Sequence, residues 1–106
     1  MDEATFDRLA ADELKKLDQK LGELPEAEVD STGDVITLEF GDGAKYVINS
    51  HRAARQIWLS AEMRAAHYGW DAGSRQWLDD KTGEELYGRI EGVLSARLGR
   101  PIRLRS

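Results

Sequence analysis

The chain has 106 residues, of which 41% are hydrophobic, and a formal net charge of −5 at pH 7. This length and hydrophobic content predict one compact domain spanning residues 1–106. The sequence contains no cysteine, which excludes disulfides, thiolate metal sites and cysteine nucleophiles. It also has no apolar run of membrane-spanning length and no signal-peptide pattern at its start, so we expect a soluble, cytoplasmic protein.

Charge is distributed unevenly along the chain. Residues 1–42 contain 13 acidic and four basic residues, a net charge of −9, whereas the remaining residues carry a net charge of +4. A clustered field steers association with cations or with a basic partner more strongly than evenly mixed charge does. An ordinary solvated helix surface is the simpler interpretation of such acids, so a functional interpretation needs further support.

The first predicted element is a long amphipathic helix over residues 3–24, in which apolar residues recur at helical spacing. On this helix Glu3, Asp7 and Asp18 fall along one flank of the apolar stripe. Glu23 falls on the opposite side. The acidic flank is therefore partial.

After the helix, apolar residues alternate with polar ones, which predicts strands. Glu26, Glu28 and Asp30 project from one face of the first strand, and so acidic a strand suits the edge of a sheet. Sequential strands joined by tight turns make an antiparallel meander. Five further strands are predicted, at about residues 35–40, 45–49, 55–60, 66–71 and 76–79.

A second helix is predicted from a capping box, in which Thr82 caps the helix and Glu85 reaches back. Its apolar stripe covers residues 86–98, and the tail that follows alternates Ile102 and Leu104 with arginines. Two one-sided helices can cover only one face of the sheet. We therefore predict an α+β fold, a two-layer α-β sandwich with both helices on one face of about five to six antiparallel strands.

Alternation in the fourth strand assigns Ile57 and Leu59 to the covered face of the sheet, and Gln56 and Trp58 to the uncovered one. A tryptophan in a strand usually belongs to the core, but Trp58 cannot share a face with both neighbours. We interpret Trp58, with Gln56 and Asn49, as a partner-binding site, because an exposed rigid aromatic side chain is typical of binding hot spots.

The remaining aromatic and titratable residues suggest no chemistry. His51 and His67 have no neighbours in the spacing of a catalytic triad or a metal motif, so we interpret both as solvent-exposed loop residues. Trp70 and Trp77 are interpreted as packing residues. No phosphate-binding glycine motif is present.

Several runs of the sequence together resemble the core signature of the frataxin family, including its bacterial CyaY-type members. These runs are Tyr46-Val47-Ile48-Asn49, Gln56-Ile57-Trp58-Leu59-Ser60, Tyr68-Gly69-Trp70-Asp71 and Trp77, with Phe6-Asp7-Arg8-Leu9-Ala10 near the start and Leu94-Ser95-Ala96-Arg97-Leu98-Gly99 near the end. The resemblance implies an α-β sandwich, iron binding by an acidic ridge on the first helix and first strand, and interaction with the cysteine desulfurase and scaffold of iron-sulfur cluster assembly. The segment Ser50-His51-Arg52-Ala53 departs from the family pattern.

Carboxylates are hard oxygen donors that suit iron, and here they are supplied without a preorganised cage. We therefore predict weak binding of Fe²⁺ or Fe³⁺ and no organic cofactor. A monomer is expected, with iron-dependent oligomers as an open alternative. The predicted metal-binding residues, called the acidic ridge below, are Glu3, Asp7, Asp18, Glu23, Glu26, Glu28 and Asp30.

The predicted function is that of an iron-binding regulator or iron donor that has no active site and docks on the desulfurase and scaffold. A ferroxidase or iron-storage activity on the acidic ridge is the alternative; it ranks lower because the sequence contains no repeated Glu-x-x-His pattern. A nucleic-acid module that stacks bases on Trp58 is opposed by the sequence pI of about 5.0. No membrane partner is expected.

Overall fold

The computed structural model describes residues 1–104. Its six strands form one antiparallel sheet whose spatial order is the order along the chain. The elements are helix α1 (Glu3–Leu21), strands β1 (Ala27–Thr32), β2 (Val35–Phe40) and β3 (Lys45–His51), a short 3₁₀ turn (Arg52–Ala54), strands β4 (Gln56–Ala61), β5 (Arg64–Asp71) and β6 (Gln76–Asp79), and helix α2 (Leu86–Leu98). The predicted two-layer α-β sandwich is confirmed.

Both helices pack on one face of the sheet and enclose a single hydrophobic core. Helix α1 contacts β1, β2 and β3, and helix α2 contacts β6. The alternating strand pattern turns residues such as Ile36, Ile57 and Leu59 towards the helices. Trp77 is fully buried beneath α1, where its ring meets Phe6 edge to face at 5.9 Å between ring centroids.

The C-terminal tail is part of this core. Ile102 and Leu104 are both buried, as their alternation predicted. The backbone N–H of Ile102 donates to Ser95 Oγ at 2.9 Å, and that of Leu104 donates to Glu91 Oε2 at 2.8 Å. Neither helix within residues 1–104 has the length and hydropathy needed to span a bilayer.

Strand β1 lies at an edge of the sheet, as its acidity predicted. The tight turn between β2 and β3 also forms as expected: Gly43 has a φ of 89°, which favours glycine, and its N–H donates to the carbonyl of Phe40 at 2.9 Å.

Both helices are shorter than their sequence patterns indicate. Helix α1 ends at Leu21, with Gly22 as its C-cap, so Glu23 and Leu24 lie beyond it. The predicted capping box is wrong, because Glu85 is itself the N-cap of α2 and its carboxylate accepts the N–H groups of Tyr87 and Gly88. A β-bridge between Leu78 and Glu85 keeps the chain extended up to Glu85, so the helix cannot begin earlier.

The three tyrosines are buried and should resist ionisation. Burial raises the pKa of Tyr46 and that of Tyr68 to about 12, and burial with a hydrogen bond to Glu13 raises the pKa of Tyr87. A raised pKa gives stability that is complete below the unfolded value near 10 and is lost as pH rises towards the folded value. We therefore expect the urea concentration at the unfolding midpoint to decrease as the pH is raised above 10. A titration at 295 nm should show no phenolate in the folded protein at pH 10; one tyrosine ionising there would contradict this.

Candidate functional site

The carboxylates at the start of α1 face the Arg52–Ala54 turn. Arg52 donates from Nε to Asp7 Oδ1 at 3.0 Å, and its Nη1 lies 4.0 Å from Glu3 Oε1. Arg55 reaches the same glutamate, with Nη2 at 3.9 Å from Glu3 Oε2. Two members of the acidic ridge are therefore already paired with arginines.

Glu26, just before β1, is held in a two-point pair. Arg100 donates from Nε to Oε2 at 2.8 Å and from Nη2 to Oε1 at 2.9 Å. This hydrogen bonding lowers the pKa of Glu26 below its ordinary value. Geometry of this kind is the strongest that arginine and a carboxylate form.

The ridge carboxylates of β1 lie on the outer face of the sheet. Glu28 pairs directly with Glu39 of β2, and Asp30 pairs with Thr37. The carboxylates of Glu28, Asp30 and Glu39, together with Lys45, line a depression of about 560 Å³. Lys45 of β3 lies opposite Glu39 on its other side, so Glu39 stands between one like and one opposite charge. Two like charges placed directly opposite each other in a sheet are destabilising, and a cation beside Glu28 would relieve the part of this repulsion that Lys45 does not offset. Glu39 was missed by sequence reasoning, although the strand alternation puts it on the same face as Glu28.

Asp18 lines a groove of about 670 Å³ between α1, the β1–β2 turn and the end of β3. Asp7 and Asp34 line the same groove, with Lys15 and Arg52. Asp34 was not predicted; its carboxylate accepts the hydroxyl of Ser50 at 2.8 Å.

The last ridge member, Glu23, is exposed beyond the C-cap of α1. Among residues 1–104, no three histidine or carboxylate side chains are grouped closely enough to hold a metal ion together. The acids thus form an extended surface that offers hard oxygen donors at several places.

Trp58 lies on the uncovered face of the sheet, as alternation predicted. It pairs across the sheet with Asn49 on one side and with His67 on the other. Its Nε1 donates to Gln56 Oε1 at 2.9 Å, and Gln56 Nε2 in turn lies 3.3 Å from Asp80 Oδ2. The three predicted partner-binding residues are therefore neighbours on one surface.

The interpretation of both histidines as exposed loop residues is wrong. His51 ends β3, His67 lies within β5, and both are half-buried. Their rings stack on either side of Trp58, at 3.9 Å and 4.4 Å between centroids and with interplanar angles of 9° and 22°. Extending the alternation from Trp58 to its neighbouring strands would have placed all three rings on this face. We call this group the imidazole-indole stack.

These features define a small acidic α-β sandwich that carries carboxylates along its first helix and edge strand and an aromatic stack on its open sheet face. The chain belongs to the frataxin family, since the family model described as a frataxin-like domain matches residues 1–100.

Curated relatives agree with this assignment over their full length. The iron-sulfur cluster assembly protein CyaY of Thioalkalivibrio sulfidiphilus is 40% identical, over 98% of this chain and 100% of the relative. The protein of the same name from Dechloromonas aromatica is 33% identical, over 99% of this chain and 100% of the relative.

Solved structures show the same architecture. Frataxin from Psychromonas ingrahamii, of the CyaY family, superposes with a TM-score of 0.87 at 25% identity, and the match covers all of both chains. A trimeric frataxin from the yeast Saccharomyces cerevisiae, solved in a ferrous complex, has a TM-score of 0.60 at 24% identity, over 94% of this chain and 88% of the yeast one, which is a likeness of fold.

Proposed function

We propose that this chain binds iron weakly on its surface carboxylates and delivers it to, or regulates, iron-sulfur cluster assembly. The observation that carries the proposal is the accumulation of carboxylates on α1, β1 and β2, including the opposed pair Glu28 and Glu39. Iron is the cargo here. Hard oxygen donors without a closed cage favour weak binding that is spread over several positions. The names of the curated relatives and the ferrous complex of the yeast protein support the same function.

We further propose that the chain docks, in the cytoplasm, on the cysteine desulfurase and scaffold of this pathway. The acidic ridge would attract a basic patch on the partner during their encounter, because complementary charge raises the association rate and favours the correct partner. Trp58, Gln56 and Asn49 would then form the contact on the sheet face. The free chain would be a monomer, with iron-dependent oligomers as the alternative.

The docking and iron roles require no active site, and we propose that the chain is not an enzyme. A ferroxidase would consume oxygen above the buffer rate when ferrous iron is added aerobically. Oxygen-electrode traces that match the buffer blank are the expected result.

Iron binding can be tested by calorimetric titration with Fe²⁺ under anaerobic conditions. We expect the double variant Glu28→Gln, Glu39→Gln to lose affinity by about three- to tenfold, because two oxygen donors lose their charge. Without iron, the single variant Glu28→Gln should be more stable than the parent chain, since it removes the repulsion from Glu39 and leaves Glu39 opposite Lys45.

The matched control is Asp12→Asn, Glu84→Gln, which removes the same charge from two exposed positions off the ridge. Equal losses of iron affinity in both double variants would mean that only net charge matters. Undetectable Fe²⁺ binding by the parent chain would refute the proposed iron function.

A further inference from the structure

The acidic ridge is divided into two kinds of carboxylate. Glu3 and Asp7 lie against Arg52 and Arg55, and Glu26 lies against Arg100. Asp18, Glu28 and Asp30 form no ion pair within the described part of the chain, and neither does the neighbouring Glu39. Part of the ridge therefore carries its own counter-ions.

The arginines at the start of α1 are placed there by the backbone. Arg55 has a φ of 55°, a left-handed conformation that non-glycine residues adopt at some cost, and its guanidinium donates to the carbonyl of Arg52. The N–H of Ala54 donates to His51 Nδ1 at 3.2 Å, which closes the 3₁₀ turn at its other side. The turn thus directs both guanidinium groups at one end of α1.

A cation that approaches Glu3 or Asp7 must displace a guanidinium or bind beside one. Arg52 already donates to Asp7, and Arg100 donates to Glu26. Arg52 and Arg55 also lie 4.0 and 3.9 Å from the carboxylate of Glu3, and the positive charge of each guanidinium repels a second cation at close range. The side chain of Arg52 is 64% exposed, so water screens this competition and limits it. Glu28 and Asp30 have no guanidinium against them; Lys45 lines the same depression but forms no ion pair among residues 1–104.

We infer that Arg52, Arg55 and Arg100 act as built-in counter-ions which keep divalent cations away from Glu3, Asp7 and Glu26 and direct them first to the open carboxylates of β1 and β2. This inference rests on the proposed iron function and adds to it the order in which the ridge is filled. It also gives a role to the segment 50–53, which departs from the family pattern.

The test is an NMR titration of the full chain, labelled with ¹⁵N, with Mn²⁺ as an oxygen-seeking paramagnetic probe. In the parent chain, amide signals of residues 28–30 and 39 should broaden at lower Mn²⁺ than those of residues 3–7. In Arg52→Gln, the Mn²⁺ concentration that half-broadens the signals of residues 3–7 should fall about three- to tenfold. Arg100→Gln should produce the same change at residues 26 and 27.

Arg75→Gln is the matched control. Arg75 is exposed, has a φ of 56° and forms no ion pair among residues 1–104, so its replacement removes the same charge far from the ridge. We expect less than a twofold change at residues 3–7. Equal effects of Arg52→Gln and Arg75→Gln, or simultaneous broadening of both regions in the parent chain, would overturn the inference.

Two further outcomes separate this inference from the proposed function. If the parent chain shows no Mn²⁺ broadening and no Fe²⁺ binding, the iron function fails and the counter-ion role fails with it. If Arg52→Gln does not fold, Arg52→Lys keeps the positive charge, and its half-broadening concentration at residues 3–7 should stay within about twofold of the parent value. A fall of about threefold or more in Arg52→Lys would then count against the counter-ion role.

Discussion

Replacing Arg97 with alanine should lower the free energy of unfolding by about 2 kcal/mol, because one side chain connects three parts of the fold. From the last turn of α2, Arg97 donates to Glu62 Oε2 at 2.8 Å and to Asp42 Oδ2 at 3.0 Å. Its guanidinium also lies 4.7 Å from the ring centroid of Phe40. The Tyr46 hydroxyl donates to the same carboxylate of Glu62.

This stabilisation should depend on pH. The hydrogen bond from Tyr46, followed by that from Arg97, lowers the pKa of Glu62, and the N–H of Ala44, followed by Arg97, lowers that of Asp42. A lowered carboxyl pKa contributes stability that is present above the unfolded value and is lost as pH falls through the folded value. The difference in unfolding free energy between the parent chain and Arg97→Ala should therefore become smaller at acidic pH.

Urea unfolding of the parent and of Arg97→Ala at pH 7 and at about pH 3 measures both effects. Arg64→Ala is the control, since Arg64 is exposed and forms no ion pair within the described part of the chain; its change should stay within about 0.5 kcal/mol. An Arg97→Ala deficit no larger than this, or one that grows in acid, would refute the role given to Arg97.

Replacing Trp58 with alanine should weaken the proposed docking on the desulfurase and scaffold about ten- to thirtyfold, the loss typical of a central aromatic contact. Trp58 lies on the uncovered face, so its removal should leave the core intact. Raising the salt concentration should lower the affinity of both the parent chain and Trp58→Ala for the partner, because electrostatic steering is lost. The ratio of these two affinities should stay constant, because the contact made by Trp58 is apolar.

Binding measured by biolayer interferometry across a salt series tests this prediction. Val47→Ala truncates another apolar side chain on the same outer face and is expected to weaken docking less than threefold. A Trp58→Ala variant that docks as tightly as the parent chain would exclude this face as the partner surface.

Features set by local pattern were predictable from the sequence. The alternation of Ile57, Trp58 and Leu59 assigned each side chain to the correct face, and the acids around Glu28 marked an edge strand. Both inferences need only the two-residue period of a strand. Strand bounds were correspondingly close, with β2 and β6 as predicted.

Features that depend on distant partners could not be predicted. Arg52 reaches an aspartate 45 residues away, and Arg100 reaches Glu26 across 74 residues. The start of α2 was missed for the same reason, because the Leu78–Glu85 bridge overrides a local capping signal. No periodicity in a single sequence encodes which arginine neutralises which carboxylate.

The imidazole-indole stack bears on the cost of recognition. Free surface side chains usually lose rotational freedom when a partner covers them, at about 0.5–1.5 kcal/mol each. The Trp58 ring is stacked between those of His51 and His67 and hydrogen-bonded to Gln56, so its orientation is fixed before a partner binds. A partner that binds this face contacts rings that are already ordered. Less conformational entropy is therefore lost on binding than with mobile side chains, and more of the contact energy remains as affinity.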